Sequence, residues 1–537
     1  VAGLAASFGS GAMTNDIAGV DKGDVALIIG SDTSEAHPVI AARMKKAARD
    51  GRLKIIVIDP KQIRMADFAE IYACQRPGSD VAVLNGMMHL IIKNGWEDKA
   101  FIEERCEGFE ALKEEVSKYT PEYVEKISGV PAATLEAIAE LFGKAETAAI
   151  YYAMGITQHT TGVDNVKSVA NLQMLCGNMG KPGGGVNPLR GQSNVQGACD
   201  MGGLPNVYPA YQAVTVPEIR EKFEKIWGCK LDDKLGMTMT VAFDKAYEGE
   251  MKAFYIMGEN PMISDPDLDH VEKALKKLDF LVVQDIFLTE TAQMADVVLP
   301  ATTFAEKEGT FVNTERRVQL LHPAVKAPGV ALHDWEITQM IAAKMGQTWQ
   351  YDSAEAIFEE IRQCAPSYAG MTYARLGEFG LHWPCPTIEH PGTPVLHVGK
   401  FTKGLGTMSA VPFKEPAEMP CEEYPLYLTT GRVLQHFHTG TMSRKSDGLN
   451  RLSGPHIMIS VEDAEALGVG NSEQVSVSTR RGSITTKAFV TRRIPQGTVY
   501  VPFHFWEAPA NRLTNNALDP VAKIPEYKVC ACKLSKP

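Results

Sequence analysis

A single cation, Arg190, stands in "NPLRGQSNVQGACDMGG" (residues 187–203), among four glycines and four side-chain amides. A guanidinium in such a setting can make a structural ion pair, contact a phosphate, or hold a small carboxylate in a two-pronged fork. Gly191, Gly197, Gly202 and Gly203 would let the backbone approach a large flat ligand closely. Gln192, Asn194 and Gln196 each donate and accept hydrogen bonds, which suits heterocycles with mixed edges. The stretch has almost no apolar run, so neither helix nor strand is expected within it.

Two further groups of residues could bind a nucleotide. "DVALIIG" is an apolar run ending in Gly30, and "KIIVIDP" is a second one carrying Asp59. A polar loop and a helical pattern, "VIAARMKKAARDG", lie between them, and the 29 residues from Gly30 to Asp59 match a βαβ unit. A glycine at the strand end admits a ligand to the backbone, the following helix offers free N–H groups to phosphate, and the acid can accept from a ribose or a guanine edge. A weaker echo follows. "AFYIMGENP" ends in Gly258, and "DFLVVQDIFLTETAQMADVVLP" carries Asp285, 27 residues on. Neither unit contains G-x-G-x-x-G, so the repeat is one of pattern rather than letters. It predicts two similar dinucleotide ligands about a pseudo-two-fold axis.

Elsewhere the chemistry is sparser. "RVLQHFHTGTMSR" brings His436 and His438 close in sequence without a third ligand, which favours hydrogen bonding to a cofactor or backbone over metal binding. "HFW" at residues 504–506 reads as core, with His504 a candidate site residue. "FEALKEEVSKYTPEYVEK" reads as an acid-rich helix with a solvated face. No Ser/His/Asp set has a recognisable local context, so nucleophilic hydrolysis has no support. The ten cysteines include no C-x-x-C pair, which points to reduced, mostly buried thiols in a cytoplasmic protein. The alternating "VCAC" at 529–532 fits a last strand better than a metal site.

The elements that must position these residues are those of an α/β protein with a β-rich end. "LEAIAELFGKAETAAIYYAMGITQ" is a helix feeding a buried strand from Ala148 to Met154, and "DWEITQMIAAKM" is a later helix. "VEDAEALGVG" is a short helix with a glycine stop, before the alternating "QVSVSTRRGSITTKAFVTRRIPQGTVYVPFHFW" and its Arg-Gly-Ser turn. At 537 residues the chain exceeds a single core. The net charge of −11 argues against nucleic acid as main partner, and the apolar runs are too short to span a bilayer.

Longer stretches carry a resemblance. "MGITQHTTGVDNVKSVANLQMLCGNMGKPGGGVNPLRGQSNVQGACDMGGLPNVYPAY", "YIMGENP", "VVQDIFLTETAQMADVVLP", "GRVLQHFHTGTMSR" and "NALDPVAKIPEYKVCACKL" closely resemble the catalytic subunit of molybdenum- or tungsten-dependent formate dehydrogenases, within the molybdopterin oxidoreductase superfamily. The resemblance covers essentially the whole chain. It implies two pseudo-symmetric dinucleotide-binding α/β domains and a C-terminal double-psi β-barrel domain. The divisions expected are a first α/β domain over 1–192, part of a second over 193–303, a mixed helical segment over 304–400 and the barrel domain over 401–537.

It further implies oxidation of formate to CO2 at a bis-molybdopterin guanine dinucleotide centre. Electrons would pass through a [4Fe–4S] cluster to an iron–sulfur or flavin subunit, with no membrane insertion. Arg190 resembles the arginine that orients formate. Met154, Gln158 and Gln192 resemble residues of a pterin-lined funnel, with Gly155 and Gly191 beside them. Gly30, Asp32, Asp59, Gly78 and Asp80 would serve one guanosine and its pyrophosphate. Gly258, Glu259, Asn260, Gln284, Asp285 and Thr289 would serve the other. Thr430, Arg432, His438, Gly440, Thr441, Asn511, Tyr527 and Lys528 would cap both. "GSDTSEAHP" departs from the family's frequent Gly-x-Asn-Pro, which leaves Asp32 open. In the family a cluster-binding domain and a Sec or Cys metal ligand precede the segment matching "VAGLAASFGSGAMTN". A selenocysteine codon read as a stop would produce the opening at Val1, and an in-frame UGA upstream would be its signature. The alternatives are a reductase of nitrate or another oxyanion, or a non-catalytic cofactor-binding body.

Overall fold

The computed structural model describes residues 1–537, which divide into two compact units. The first comprises residues 1–191, 263–269 and 395–537, and the second residues 192–262 and 270–394. The crossing from one to the other between Gly191 and Gln192 falls inside the arginine-bearing stretch. No helix is long and apolar enough to cross a membrane.

The first unit is built on a parallel sheet. Its strands are β1 (Val25–Ile29), β2 (Lys54–Ile58), β3 (Ile71–Ala73), β4 (Ala148–Tyr152) and β5 (Val186–Pro188), in the order β3-β2-β1-β4-β5. Central β1 pairs Val25 with Lys54 on one side and with Ala148 on the other. Strands covered on both faces need continuous apolar runs, and β1 and β4 are buried at every position. Between β1 and β2 runs helix α1 (Pro38–Arg49), where Pro38 pre-sets the first turn and Ile40, Ala41, Met44 and Ala47 form the buried stripe. Helix α2 (Asp80–Asn94) ends at Gly95, whose φ of 69° a side chain would oppose. Each fully buried Leu or Ile of this core contributes about 1.5–3 kcal/mol relative to exposure.

The second unit carries a smaller parallel sheet, β6 (Ala253–Met257), β7 (Phe280–Asp285) and β8 (Val297–Pro300), in the order β8-β7-β6. Its apolar core includes Phe243, Val271, Leu275, Leu281 and Val283. The chain returns to the first unit to form a closed six-stranded barrel. Its strands are β9 (Leu426–Gly431), β10 (His456–Ile459), β11 (Gln474–Ser478), β12 (Ser483–Val490), β13 (Thr498–Pro502) and β14 (Cys530–Ser535), closing in the order β9-β13-β10-β12-β11-β14. Two of its pairings, β9 with β13 and β10 with β12, are parallel. Closure leaves no free edge, and Leu428, Ile457, Val475, Val477, Val499 and Val501 fill the interior.

Four local readings change. The 187–203 stretch does contain regular structure, β5 and a short helix over Val195–Asp200. That helix is held by polar tertiary contacts: Gln196 Nε2 and the Tyr211 hydroxyl donate to Asp200 Oδ1 at 2.7 and 2.9 Å, and Tyr368 OH donates to Oδ2 at 2.5 Å. The acid-rich helix is two helices, Phe109–Val116 and Pro121–Ser128, because Thr120 caps and Pro121 starts the second. Trp506 lies outside the core at 57% exposure, whereas His504 and Phe505 are buried. The strand before Met154 stops at Tyr152, and Met154 opens a short helix.

Candidate functional site

At the carboxyl edge of the first sheet, Gly30 turns the chain with φ of 55°. A Cβ there would fall 2.7 Å from the Gly155 carbonyl carbon. Gly155 donates its N–H to Gly30 O at 3.0 Å, and His159 Nε2 lies 2.7 Å from Gly155 O. His159 also stands 3.9 Å from Asp80, whose other oxygen accepts from Gln75 at 3.1 Å. Asp80 is buried at the start of α2, and desolvation raises its carboxyl above the usual range. Gly78 turns with φ of 84° and packs against Pro416. Gly30, Gly155 and Asp80 are thus tied together by the protein itself, which sets the shape of the edge.

Asp59 ends β2 and accepts the Lys61 amide at 2.9 Å. Part of the residue remains accessible, yet its carboxyl is deep enough that desolvation raises it to about 7. Lys61 bonds Asp32 Oδ2 at 2.8 Å and lies over the Tyr500 ring at 4.0 Å. Asp32 Oδ1 is shielded and has no partner. Glu35, on the same loop, accepts the Leu434 amide and so links the sheet edge to the barrel.

From the barrel come Thr430, Arg432 and Lys528. Thr430 Oγ1 donates to Tyr527 O at 3.0 Å, and Lys528 Nζ donates to Thr430 O at 2.7 Å. Desolvation, with Arg432 adding repulsion, lowers the Lys528 ammonium to about 7. Arg432 is half-buried, lies near the Phe503 and Phe437 rings, and its guanidinium packs on Gly191. No carboxylate lies within ion-pair distance of Arg432 or Lys528; the ion pairs of this region go to Lys61 and Arg64. Burial, with help from Arg432, pulls His438 down to about 4. The His438 carbonyl accepts from His504 Nδ1, while His504 Nε2 accepts the Val433 amide at 2.9 Å. Gly440 sits where a Cβ would meet His504 O at 2.6 Å, and Thr441 shares a hydroxyl contact of 2.9 Å with Thr439. Asn511 Nδ2 donates to Ile263 O at 2.8 Å, and the Tyr527 hydroxyl donates to Ser264 O at 3.0 Å.

Arg190 follows β5 and is half-buried. Its Nη2 reaches Gly11 O at 3.4 Å, and its carbonyl lies 2.7 Å from His37 Nε2. Met154, 41% exposed, and Gln158 lie at the end of β4, where Gln158 caps the short helix. Gln192 is the first residue of the second unit.

In the second unit Gly258 turns with φ of 64° after β6 and donates its N–H to Gln284 O at 2.8 Å. Gly30 does the same to Ile58 O at 3.2 Å. Asp285 accepts from the amide two residues on, Phe287, at 3.1 Å, as Asp59 does from Lys61. Burial raises both acids, and Glu259 as well. The two strand–glycine–strand–acid units therefore make the same pair of hydrogen bonds at their turning points, although only Gly30 is packed against another backbone. Asn260 Oδ1 accepts from Thr291 Oγ1 at 2.7 Å, Gln284 Nε2 donates to Asp334 at 2.8 Å, and Thr289 Oγ1 accepts the Ala292 amide at 3.1 Å.

A dinucleotide fits the first-unit edge on these observations. Two cations without counter-ions, Arg432 and Lys528, leave positive charge that a pyrophosphate would neutralise. Asp32 Oδ1 has no donor and the Asp59 carboxyl accepts from the Lys61 amide, so a ribose or guanine could add the donors these acids still have room for. Lys61, Tyr500, Glu35 and His37 are the residues that sequence reasoning missed. Only Lys61 left a signal, a cation two places past the strand-end acid in "DPKQ".

A parallel sheet with glycines, acids and unpaired cations at its carboxyl edge, in one unit with a closed barrel, defines a dinucleotide-binding α/β protein. Comparison with known proteins narrows the class. The family model "Molybdopterin oxidoreductase" matches residues 4–344, and "Molydopterin dinucleotide binding domain" matches residues 426–531. The chain belongs to the molybdopterin oxidoreductase family. It is 53% identical over 541 residues to the F420-dependent formate dehydrogenase 1 subunit alpha of Methanococcus maripaludis, covering 100% of this chain and 80% of that one. It is 40% identical over 542 residues to formate dehydrogenase H of Escherichia coli, covering 99% and 76%. Acetylene hydratase from Pelobacter acetylenicus shares the fold, with a TM-score of 0.77 at 20% identity over 100% of this chain and 80% of that one.

Proposed function

We propose that the chain is the catalytic subunit of a formate dehydrogenase, carrying out the reversible two-electron oxidation of formate to CO2. The observation that carries this reading is the packing of the Arg432 guanidinium on Gly191, which sets an unpaired cation one residue from Arg190. Identity of 40–53% with formate dehydrogenases over 99–100% of the chain supports the substrate.

In this reading two molybdopterin guanine dinucleotides bind. Gly30, Asp32, Asp59, Lys61, Arg432 and Lys528 hold one. Gly258, Glu259, Asn260, Gln284, Asp285 and Thr289 hold the other. When bound, the pterin pair supplies a molybdenum or tungsten ion able to take up two electrons.

The chain's own share is placement. Arg190 pairs with the formate carboxylate through its fork, which fixes the direction of the C–H bond and raises the local concentration of a small anion. CO2 carries no charge, so the attraction vanishes as product forms and release follows. Gln192 and Gln158 offer amides to the pterin edges. A [4Fe–4S] cluster would supply the route by which electrons reach an iron–sulfur or flavin subunit. The ten free thiols support a cytoplasmic setting.

The test is formate-dependent dye reduction by the anaerobically isolated complex, with 13C-formate followed to 13CO2 and with metal and guanine dinucleotide quantified. Labelled CO2 in proportion to metal content is expected. A metal-loaded complex that reduces nitrate and ignores formate would overturn the reading.

A further inference from the structure

The connection leaving β1 passes through a short helix, Thr33–Ala36, and ends at His37, just before Pro38 opens α1. The His37 ring reaches the Arg190 carbonyl with Nε2 at 2.7 Å. A carbonyl oxygen can only accept, so Nε2 carries the proton and Nδ1 is the lone-pair nitrogen. The His37 main chain is fixed on both sides. Its N–H donates to Thr33 O at 2.9 Å, and its carbonyl accepts the Ala41 amide at 3.0 Å.

On its C-terminal side Arg190 is followed by Gly191, which lies under the Arg432 guanidinium and after which the chain leaves the first unit. Glycine leaves the backbone free to swivel. A guanidinium at the end of a long side chain transmits any such swivel to its ligand. Formate has one carbon and no remote groups, so nothing else on the substrate can restore its orientation.

We propose that His37 is a positioning residue for Arg190: its Nε2–H pins the Arg190 carbonyl and so sets the approach of the guanidinium to a one-carbon carboxylate. This rests on the formate reading of Arg190. Desolvation and the nearby Arg432 charge hold the ring below its ordinary range, so the donor is a neutral imidazole.

The test compares holoenzyme carrying His37→Phe, His37→Asn and His37→Gln with wild type and Arg190→Lys, each normalised to metal content. Phe keeps the ring volume without the donor. Asn keeps an amide donor with too short a reach. Gln places its amide nitrogen about where the ring Nε2 stands. The KM for formate should rise roughly tenfold in His37→Phe and His37→Asn, with kcat moving less than about twofold. His37→Gln should recover most of the loss.

A second readout needs no turnover. Arg190 is modified with an arginine-specific dicarbonyl, mapped by peptide mass spectrometry, and the formate concentration that half-protects it should shift in parallel with KM. An unchanged KM and unchanged protection in His37→Phe would overturn the proposal, as would equal impairment of His37→Gln and His37→Phe. If Arg190→Lys itself left KM and protection unmoved, the formate reading would fail first and take this inference with it.

Discussion

Gly155 donates its backbone N–H to Gly30 O at 3.0 Å, and neither residue has room for a side chain against the other. Two neighbouring strands of the first sheet, β1 and β4, thereby close their carboxyl ends on each other. Both glycines lie at the edge where a dinucleotide would rest. Gly155→Ala would place its methyl 2.5 Å from Gly30 O, an overpacking that costs about 1–3 kcal/mol. A lowered Tm with reduced guanine dinucleotide content is expected from thermal melts and cofactor analysis. An unchanged Tm would show that the edge is looser than this contact implies.

Lys528 makes stability depend on pH in a definite direction. Its ammonium is lowered to about 7 in the folded chain, against about 10.5 when unfolded. The folded state therefore binds fewer protons than the unfolded one across that interval, and stability rises with pH from about 7 to about 10.5. Equivalently, the contribution present at high pH is lost as pH falls through 7. Lys528→Met should flatten this slope in the cofactor-free chain and raise its stability at neutral pH, while weakening dinucleotide uptake. Denaturant melts at pH 7 and pH 10 would measure it; an unaltered slope in Lys528→Met would refute the assignment.

Asp59 acts at lower pH with the opposite slope. Its carboxyl is raised to about 7 from about 3.8, so the folded chain holds a proton that the unfolded chain has released. Stability from this group is present below about 3.8 and falls as pH rises to about 7. Asp59→Asn keeps the oxygen that accepts the Lys61 amide, removes the charge, and should abolish that part of the decline. The bound dinucleotide should also shrink it by supplying donors. A decline of the same size in Asp59→Asn, from melts between pH 4 and pH 7.5, would contradict this.

The strand–glycine–strand–acid units were legible because both rest on continuous apolar runs closed by a glycine and an acid. The recurrence extends to the amide that each acid accepts, from Lys61 and from Phe287. The β-rich end showed as alternation over β11 and β12, while its closure into a barrel came only from the family resemblance. What stayed hidden depends on partners far apart in sequence. Lys61 gains meaning only from Tyr500 and Asp32, and His37 only from Arg190. The helix over Val195–Asp200 is stabilised by Tyr211 and Tyr368 hydroxyls rather than by an apolar stripe, so periodicity gave no sign of it. Trp506 breaks the expectation that an aromatic beside two buried residues is buried too.

The Arg190 guanidinium is tested most directly by steady-state formate kinetics of Arg190→Lys in metal-replete holoenzyme. Lysine keeps the charge and loses the fork, so a loss of about 2 kcal/mol is expected, roughly thirtyfold in kcat/KM, with cofactor content unchanged. A kcat/KM equal to wild type at equal metal content would contradict the role of Arg190 and the function built on it.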